Sequence, residues 1–265
     1  MTYWALKALL GPILWVVFRP SRDGLEHVPR RGGAILACNH LSFCDSIFLP
    51  LVLRRKVAYL AKAEYFERPG LVGRLQTRLL HSLGQVPLDR SGGSASSAAL
   101  LAGCRVLASG RLLGIYPEGT RSPDGRLYRG KTGAVRLALE AGVPVIPVAV
   151  IGTDKVQPLG KVIPRVHRVR VRFGPPLDVT GTALAPASPD AGTVEGQAPG
   201  APDLRVLTDR LMHELQRLSG QEYVDVYADE VKAEMVAKGQ LDPKLGGSGG
   251  KTAGKRPLES DTPPG

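Results

Sequence analysis

With 265 residues and 43% hydrophobic content, the chain can form one globular domain with appendages around a substantial core. Thirty-five Lys and Arg against 24 Asp and Glu leave a formal charge of +11, which favours an anionic partner. Aromatic residues at 5%, without zinc-finger spacing or an aromatic-basic signature, argue against nucleic acid and leave phospholipid head groups or a phosphate-rich co-substrate. Cys38, Cys44 and Cys104 have no paired spacing, so a disulfide framework is not expected and a reducing, cytoplasmic setting fits.

Trp4 to Phe18 form an apolar segment interrupted by Lys7 and Pro12, shorter than the roughly 20 residues of a membrane span. No cationic region precedes it and Arg19-Pro20-Ser21-Arg22 follows without a small-residue cleavage site, so it is expected to stay on the protein. Two tryptophans and the following arginines suit an amphipathic helix in the head-group layer, the alternative being an ordinary buried helix. Gly32 to Cys38 then reads as a buried strand that delivers the chain to His40. Ser46 to Leu53 reads as a helix capped by Asp45 or Ser46 despite Pro50. Val57 to Ala61 and Gln85 to Leu88 are strand-like, with an amphipathic helix over Leu71 to Leu80 between them. Helical spacing over Ser96 to Leu107 and Thr132 to Ala141 alternates with strands over Leu112 to Tyr116 and Val143 to Ile151. Such alternation predicts a layered α/β core with the chemistry in loops at strand ends.

Arg168 to Phe173 alternates cation and apolar residue, as an edge or surface strand with a basic face would, the charges serving either to bind an anion or simply to keep an exposed strand soluble. Residues 181–203 read as a flexible loop, and Leu204, Leu207, Leu211, Leu215 and Leu218 as one stripe of a helix covering the sheet. From Lys238 the composition predicts a disordered tail.

His40 and Asp45 are five positions apart, about 140° from one another on a regular helix, so they could meet only at a strand-turn-helix junction. There the carboxylate would fix the imidazole tautomer and make the other ring nitrogen a general base. With no Gly-x-Ser-x-Gly elbow, that base would act directly on a substrate hydroxyl. Tyr116-Pro117-Glu118-Gly119-Thr120-Arg121-Ser122 combines backbone donors, a hydroxyl and a guanidinium, the groups that hold a phosphate monoester. Arg90, Lys62 and Lys131 are further cations near strand ends or loops.

Four ordered blocks carry a resemblance: Asn39-His40 to Asp45, Gly84 to Arg90, Tyr116 to Ser122, and Val143-Pro144-Val145-Ile146-Pro147. Together they resemble the glycerolipid acyltransferase family, over roughly Gly32 to Pro176; Pro87, where the family keeps a plain apolar residue, is the one departure. The resemblance implies a mixed, largely parallel sheet flanked by helices, of the glycerol-phosphate acyltransferase type. It also implies transfer of a fatty acyl group from acyl-CoA or acyl-ACP to the sn-2 hydroxyl of 1-acyl-glycerol 3-phosphate (lysophosphatidate), giving phosphatidic acid. By the same resemblance, His40 is the base, Asp45 its orienter, and Glu118, Gly119, Thr120 and Arg121 contact the acceptor phosphate with help from Arg90 and Lys62. No metal or other cofactor is implied.

The expected organisation is a membrane-associating segment over 1–24, an acyltransferase domain over 25–238 and a tail over 239–265, on the cytoplasmic face of the cell membrane as a peripheral or monotopic protein. Three rivals stand beside this reading. The same chemistry could serve another acceptor, such as glycerol 3-phosphate, another lysophospholipid or a glycolipid. Cys38 or Cys44 could serve a Cys-His hydrolase. A non-catalytic protein that binds anionic membranes would need only the charge and the N-terminal helix.

Overall fold

The computed structural model describes residues 2–63, 66–67, 69–88, 95–161, 163–177, 179 and 203–245. In chain order it runs α1 (Thr2–Phe18), β1 (Ser21–Asp23), β2 (Ala34–Cys38), α2 (Asp45–Val52), β3 (Val57–Lys62), α3 (Gly70–Ser82), β4 (Gln85–Leu88), α4 (Ala95–Ala108) and β5 (Leu112–Ile115). There follow β6 (Leu127–Tyr128), α5 (Gly133–Ala141), β7 (Val145–Ile151), α6 (Thr153–Val156), β8 (Arg170–Phe173), α7 (Leu204–Ser219), β9 (Tyr223–Val224) and α8 (Ala228–Ala237). The expected strands and helices over the described residues appear within about two residues of their predicted bounds, the uncertainty that fraying ends impose.

Seven strands form a mixed, largely parallel sheet in the order β1-β8-β7-β2-β5-β3-β4, with β7 and β8 the antiparallel pair. β2 is central and all five of its residues are buried, as a strand covered on both faces requires. Its alternate side chains enter opposite layers. Ala34, Leu36 and Cys38 join Phe48, Leu49, Ile146 and Val148 on the α2 side, whereas Ile35 and Ala37 join Val135, Leu207, Leu211 and Met212 under α5 and α7. α7 is started by Asp203, whose carboxylate accepts from the amides of Arg205 and Val206, and Gly220 ends it. Its buried Leu207, Leu211 and Leu215 each contribute about 1.5–3 kcal/mol of apolar burial. Pro87 lies in β4, the outermost strand, where its missing N–H costs least.

Four expectations change. Of the placements expected for the Arg168 to Phe173 strand, the edge is excluded, because Ser21–Asp23 pairs outside it, while Arg168 and Arg170 are exposed as a surface strand requires. Those three residues are all exposed and have no apolar pattern to announce a strand. Asp45 begins α2 instead of capping it, and its carboxylate reaches backward to the amides of Leu41 and Ser42. α6, β6, β9 and α8 carry too few apolar residues, or are too short, to show periodicity, and were not expected. The predicted loop begins in residues outside the described set, as does the tail beyond Leu245; Asp203 and a short 3-10 turn over Pro243–Leu245 are within it.

The fourth change concerns α1. Its inner stripe is Tyr3, Lys7, Gly11, Leu14 and Phe18, with the Lys7 ammonium donating to the carbonyls of Pro50 and Leu53 at the end of α2. Trp4, Leu9, Leu10, Ile13, Trp15 and Val16 face outward. The helix is therefore not amphipathic in the expected sense. Its cation is spent on protein carbonyls and its apolar side is exposed, which also excludes an ordinary buried helix. No described helix is long and apolar enough to cross a membrane.

Candidate functional site

The turn after β2 carries His40, and α2 starts at Asp45 on the far side of that turn. His40 Nδ1 lies 2.9 Å from Asp45 Oδ2, which also accepts from the amides of Leu41 at 2.8 Å and Ser42 at 2.9 Å. Asp45 Oδ1 accepts from the Thr153 hydroxyl at 2.5 Å. A carboxylate accepting from all these donors leaves Nδ1 as the N–H bearer, so Nε2 holds the free lone pair. Asp45 is fully buried, whereas the His40 side chain keeps 17% exposure and can meet a substrate.

An aromatic stack holds the imidazole in plane. Tyr116 lies under His40 at 3.7 Å between ring centroids and 12° between planes, and Tyr59 lies 6.0 Å beyond Tyr116. Gly114 makes room for this, since a Cβ there would come within 2.3 Å of the Tyr59 ring. Burial pushes the Tyr116 phenol well above its ordinary range, so it stays neutral, with the Ser46 hydroxyl 2.7 Å away.

Glu118, expected to touch phosphate, is instead fully buried. One carboxyl oxygen accepts from the His40 amide at 3.0 Å and the other from the Tyr128 amide at 3.1 Å. It ties the His40 turn to β6 and has no face toward solvent. The Ser122 amide adds a second tie, donating to the His40 carbonyl at 2.7 Å. Burial raises the Glu118 carboxyl to about 8, against the two amide bonds that favour its ionised form.

Thr120 and Arg121 lie half-buried on the same loop, and Gly119 is exposed with its own amide spent on the Tyr116 carbonyl. Among the described residues, the amides of Thr120 and Arg121 have no acceptor and the Arg121 guanidinium has no ion pair. α8 brings Lys232 to this loop, 1% exposed, with its ammonium donating to Thr120 Oγ1 at 2.8 Å. Burial first, and then the neighbouring Arg121, lower the Lys232 ammonium to about 8. Lys131, flagged in the sequence, pairs with Asp229 at 2.8 Å. Lys62 ends β3 with its backbone in register with Leu88, and Arg90 lies outside the described residues.

The structure thus brings His40 and Asp45 together as the sequence analysis expects, and adds Thr153, the Tyr116 stack and Lys232, which it did not single out. Thr153 follows the apolar run of β7 in a Gly-Thr-Asp turn, which was its one visible signal; Lys232 had none. Cys38 and Cys44 are buried and burial raises both thiols, Cys38 strongly, which is the wrong direction for a nucleophile.

The Thr153 bond is directly testable. Thr153→Val keeps the shape but leaves a buried Asp45 oxygen without a donor, which should cost about 1–3 kcal/mol of stability. Turnover should fall about tenfold as the imidazole loses orientation, read by thermal melting and steady-state kinetics.

Comparison with known proteins places this arrangement. An acyltransferase family model matches residues 20–151, a span holding His40, Asp45 and the 118–122 loop. A 1-acyl-sn-glycerol-3-phosphate acyltransferase of Limnanthes douglasii is 33% identical over 170 residues, covering 63% of this chain and 58% of that protein. The chain spans only 40% of the chloroplastic LPAT1 of Arabidopsis thaliana, at 32% identity. In fold it resembles the crystal structure of the 1-acyl-sn-glycerophosphate acyltransferase PlsC from Thermotoga maritima, with a TM-score of 0.59 over 87% of this chain and 80% of that one at 24% identity. A Bacillus subtilis 1-acyl-sn-glycerol-3-phosphate acyltransferase is 30% identical over 164 residues that make up 61% of this chain and 75% of that protein. With a relative matched at that level over three quarters of its length, the chain belongs to the acyltransferase family.

Proposed function

We propose that the protein transfers a fatty acyl group from acyl-CoA or acyl-ACP to the sn-2 hydroxyl of 1-acyl-glycerol 3-phosphate, giving phosphatidic acid. The observation that carries this reading is the His40–Asp45 pair beside a loop where the Arg121 guanidinium has no ion pair among the described residues and the Lys232 ammonium donates to the Thr120 hydroxyl. The names of the relatives support the same acceptor. His40 Nε2 takes the proton of the acceptor hydroxyl as its oxygen attacks the thioester carbon. The tetrahedral intermediate then collapses, the C–S bond breaks, and the departing thiolate recovers the proton from Nε2. Asp45 balances the imidazolium between the two steps. Arg121, Thr120 and Lys232 hold the acceptor phosphate, with Arg90 and Lys62 as further cations; Glu118 acts by fixing the His40 backbone. No step in this scheme uses a metal.

We place the protein peripherally on the cytoplasmic face of the membrane. The exposed residues Leu9, Ile13 and Val16 of α1 form one stripe, and α3, which α1 contacts, exposes Leu71 and Leu75. Such an apolar face suits insertion among lipid head groups.

The test supplies the purified protein with labelled acyl-CoA or acyl-ACP and a panel of lysolipids in vesicles. Acylation of 1-acyl-glycerol 3-phosphate should exceed that of lysophosphatidylcholine, whose phosphate is capped, by at least about tenfold, the equivalent of one charge-assisted contact. Equal rates on the two would sink the phosphate-monoester reading. Leu9→Glu with Ile13→Glu should lower activity on vesicles but leave activity on detergent-dispersed acceptor unchanged.

A further inference from the structure

A cavity of about 640 Å³ opens at the carboxyl ends of β2 and β7. Arg19, Lys155, His167, Arg168 and Arg170 line it, against one carboxylate, Asp154. Among the described residues, none of its four arginines and lysines has an ion-pair partner. Arg168 and Arg170 project from the same face of the β8 segment, roughly 7 Å apart along the strand, while Val169 and Val171 are buried in the core. Gathering four such cations around a concavity against a single carboxylate is costly, and an anion offsets that cost.

The cavity reaches the turn that carries His40. Asn39 and Leu41, the neighbours of His40 on either side, line it. α6 serves both places, since Thr153 holds Asp45 while Asp154 and Lys155 face the cavity. Gly152, with φ 90°, permits the junction: a Cβ there would lie 2.5 Å from the Arg168 carbonyl oxygen. The Ser42 hydroxyl donates to the Gln157 carbonyl at 2.8 Å, fastening the His40 turn to the end of α6.

In the strand order β8-β7-β2-β5 the arginines of this cavity sit on the β8 side of β2, whereas the Thr120–Arg121 loop follows β5 on the other and touches the cavity only through Gly125. Acyl transfer brings two substrates to one base. The acceptor phosphate takes the loop on the β5 side, and the thioester must come from elsewhere. Acyl-CoA and acyl-ACP both carry the acyl sulfur on a pantetheine arm whose opposite end is a phosphate ester. We propose that the Arg168–Arg170 cavity binds the phosphate end of the pantetheine thioester donor. This rests on the acyl-transfer reading above.

The test uses the full chain and its Arg168→Gln/Arg170→Gln variant. Binding of CoA is measured by calorimetry, and donor and acceptor KM are measured in the transfer assay with acyl-CoA and with acyl-ACP. The variant should bind CoA at least about tenfold more weakly and show a matching rise in donor KM. Its lysophosphatidate KM and its kcat at saturating donor should stay as in the parent. CoA binding should also weaken with added salt. Unchanged CoA affinity and donor KM would overturn the proposal, as would a loss confined to pelleting with phosphatidylcholine–phosphatidylserine vesicles, which would assign the arginines to lipid head groups. If the double variant does not melt cooperatively, Lys155→Gln, exposed on α6, gives the same reading. A parent protein that binds CoA through these arginines yet transfers no acyl group would refute the transfer reading and leave the cavity assignment standing. No binding of CoA or acyl-ACP by the parent would end the assignment.

Discussion

His40→Ala should lower kcat for acyl transfer about 10³-fold, with the KM for acceptor and donor little changed, because the side chain works on the proton and not on the phosphate. The variant should also fold. The bonds that anchor this turn, to Glu118 and from Ser122, run through the His40 backbone N–H and C=O, which alanine retains. What the substitution removes is the base and its stack on Tyr116. Thermal melting alongside kinetics separates loss of chemistry from loss of fold. Unchanged acylation in a folded His40→Ala protein would overturn His40 as the base, and a parent protein that pellets with anionic vesicles but acylates no acceptor would decide for the rival in which the chain merely binds membranes.

Glu118→Ala should damage both stability and activity. Two buried backbone amides, of His40 and Tyr128, lose their acceptor, at about 1–3 kcal/mol each. Release of the His40 turn should lower kcat about 10²-fold, the scale of an ångström-sized misplacement of a catalytic group. Glu118→Gln should rescue only part of this, since one amide oxygen cannot accept in both places and its NH2 then faces a donor. The pH dependence carries a sign that tests the burial itself. The folded carboxyl titrates near 8 and the unfolded one near 4.5, so between those values the folded protein holds a proton that the unfolded chain has released. Through that window Glu118 makes stability fall as pH rises. Lys232 acts oppositely: it titrates near 8 when folded and 10.5 when unfolded, so its contribution rises with pH between those values. Comparing melting midpoints from pH 5 to 10, Glu118→Ala should flatten the falling limb below about 8 and Lys232→Met the rising limb above it. A parallel shift of the whole curve in both variants would remove the basis for these assignments.

Much of the fold was legible because apolar periodicity is a local property. β2 reads as an unbroken apolar run since both its faces are covered, and α7 as a leucine stripe since one face is. The site was legible to the extent that its residues cluster in short blocks: His40 with Asp45, and Glu118 to Arg121. β1 and α8 were not, because backbone pairing at a sheet edge and a helix anchored by polar contacts leave no apolar pattern.

By itself, then, the sequence determined the layered α/β core, the order of its strands and helices along the chain, and the residue types available for base and phosphate chemistry. Only the tertiary structure decided which of these residues touch. Glu118 meets the His40 amide across 78 positions, Thr153 meets Asp45 across 108, and Lys232 meets Thr120 across 112. Each is a single polar contact between distant segments, and nothing in the neighbouring residues of either partner encodes it. The same reason set which side of α1 faces solvent. An apolar helix with one lysine does not reveal which side faces solvent until the carbonyls of Pro50 and Leu53 at the end of α2 are there to receive the charge.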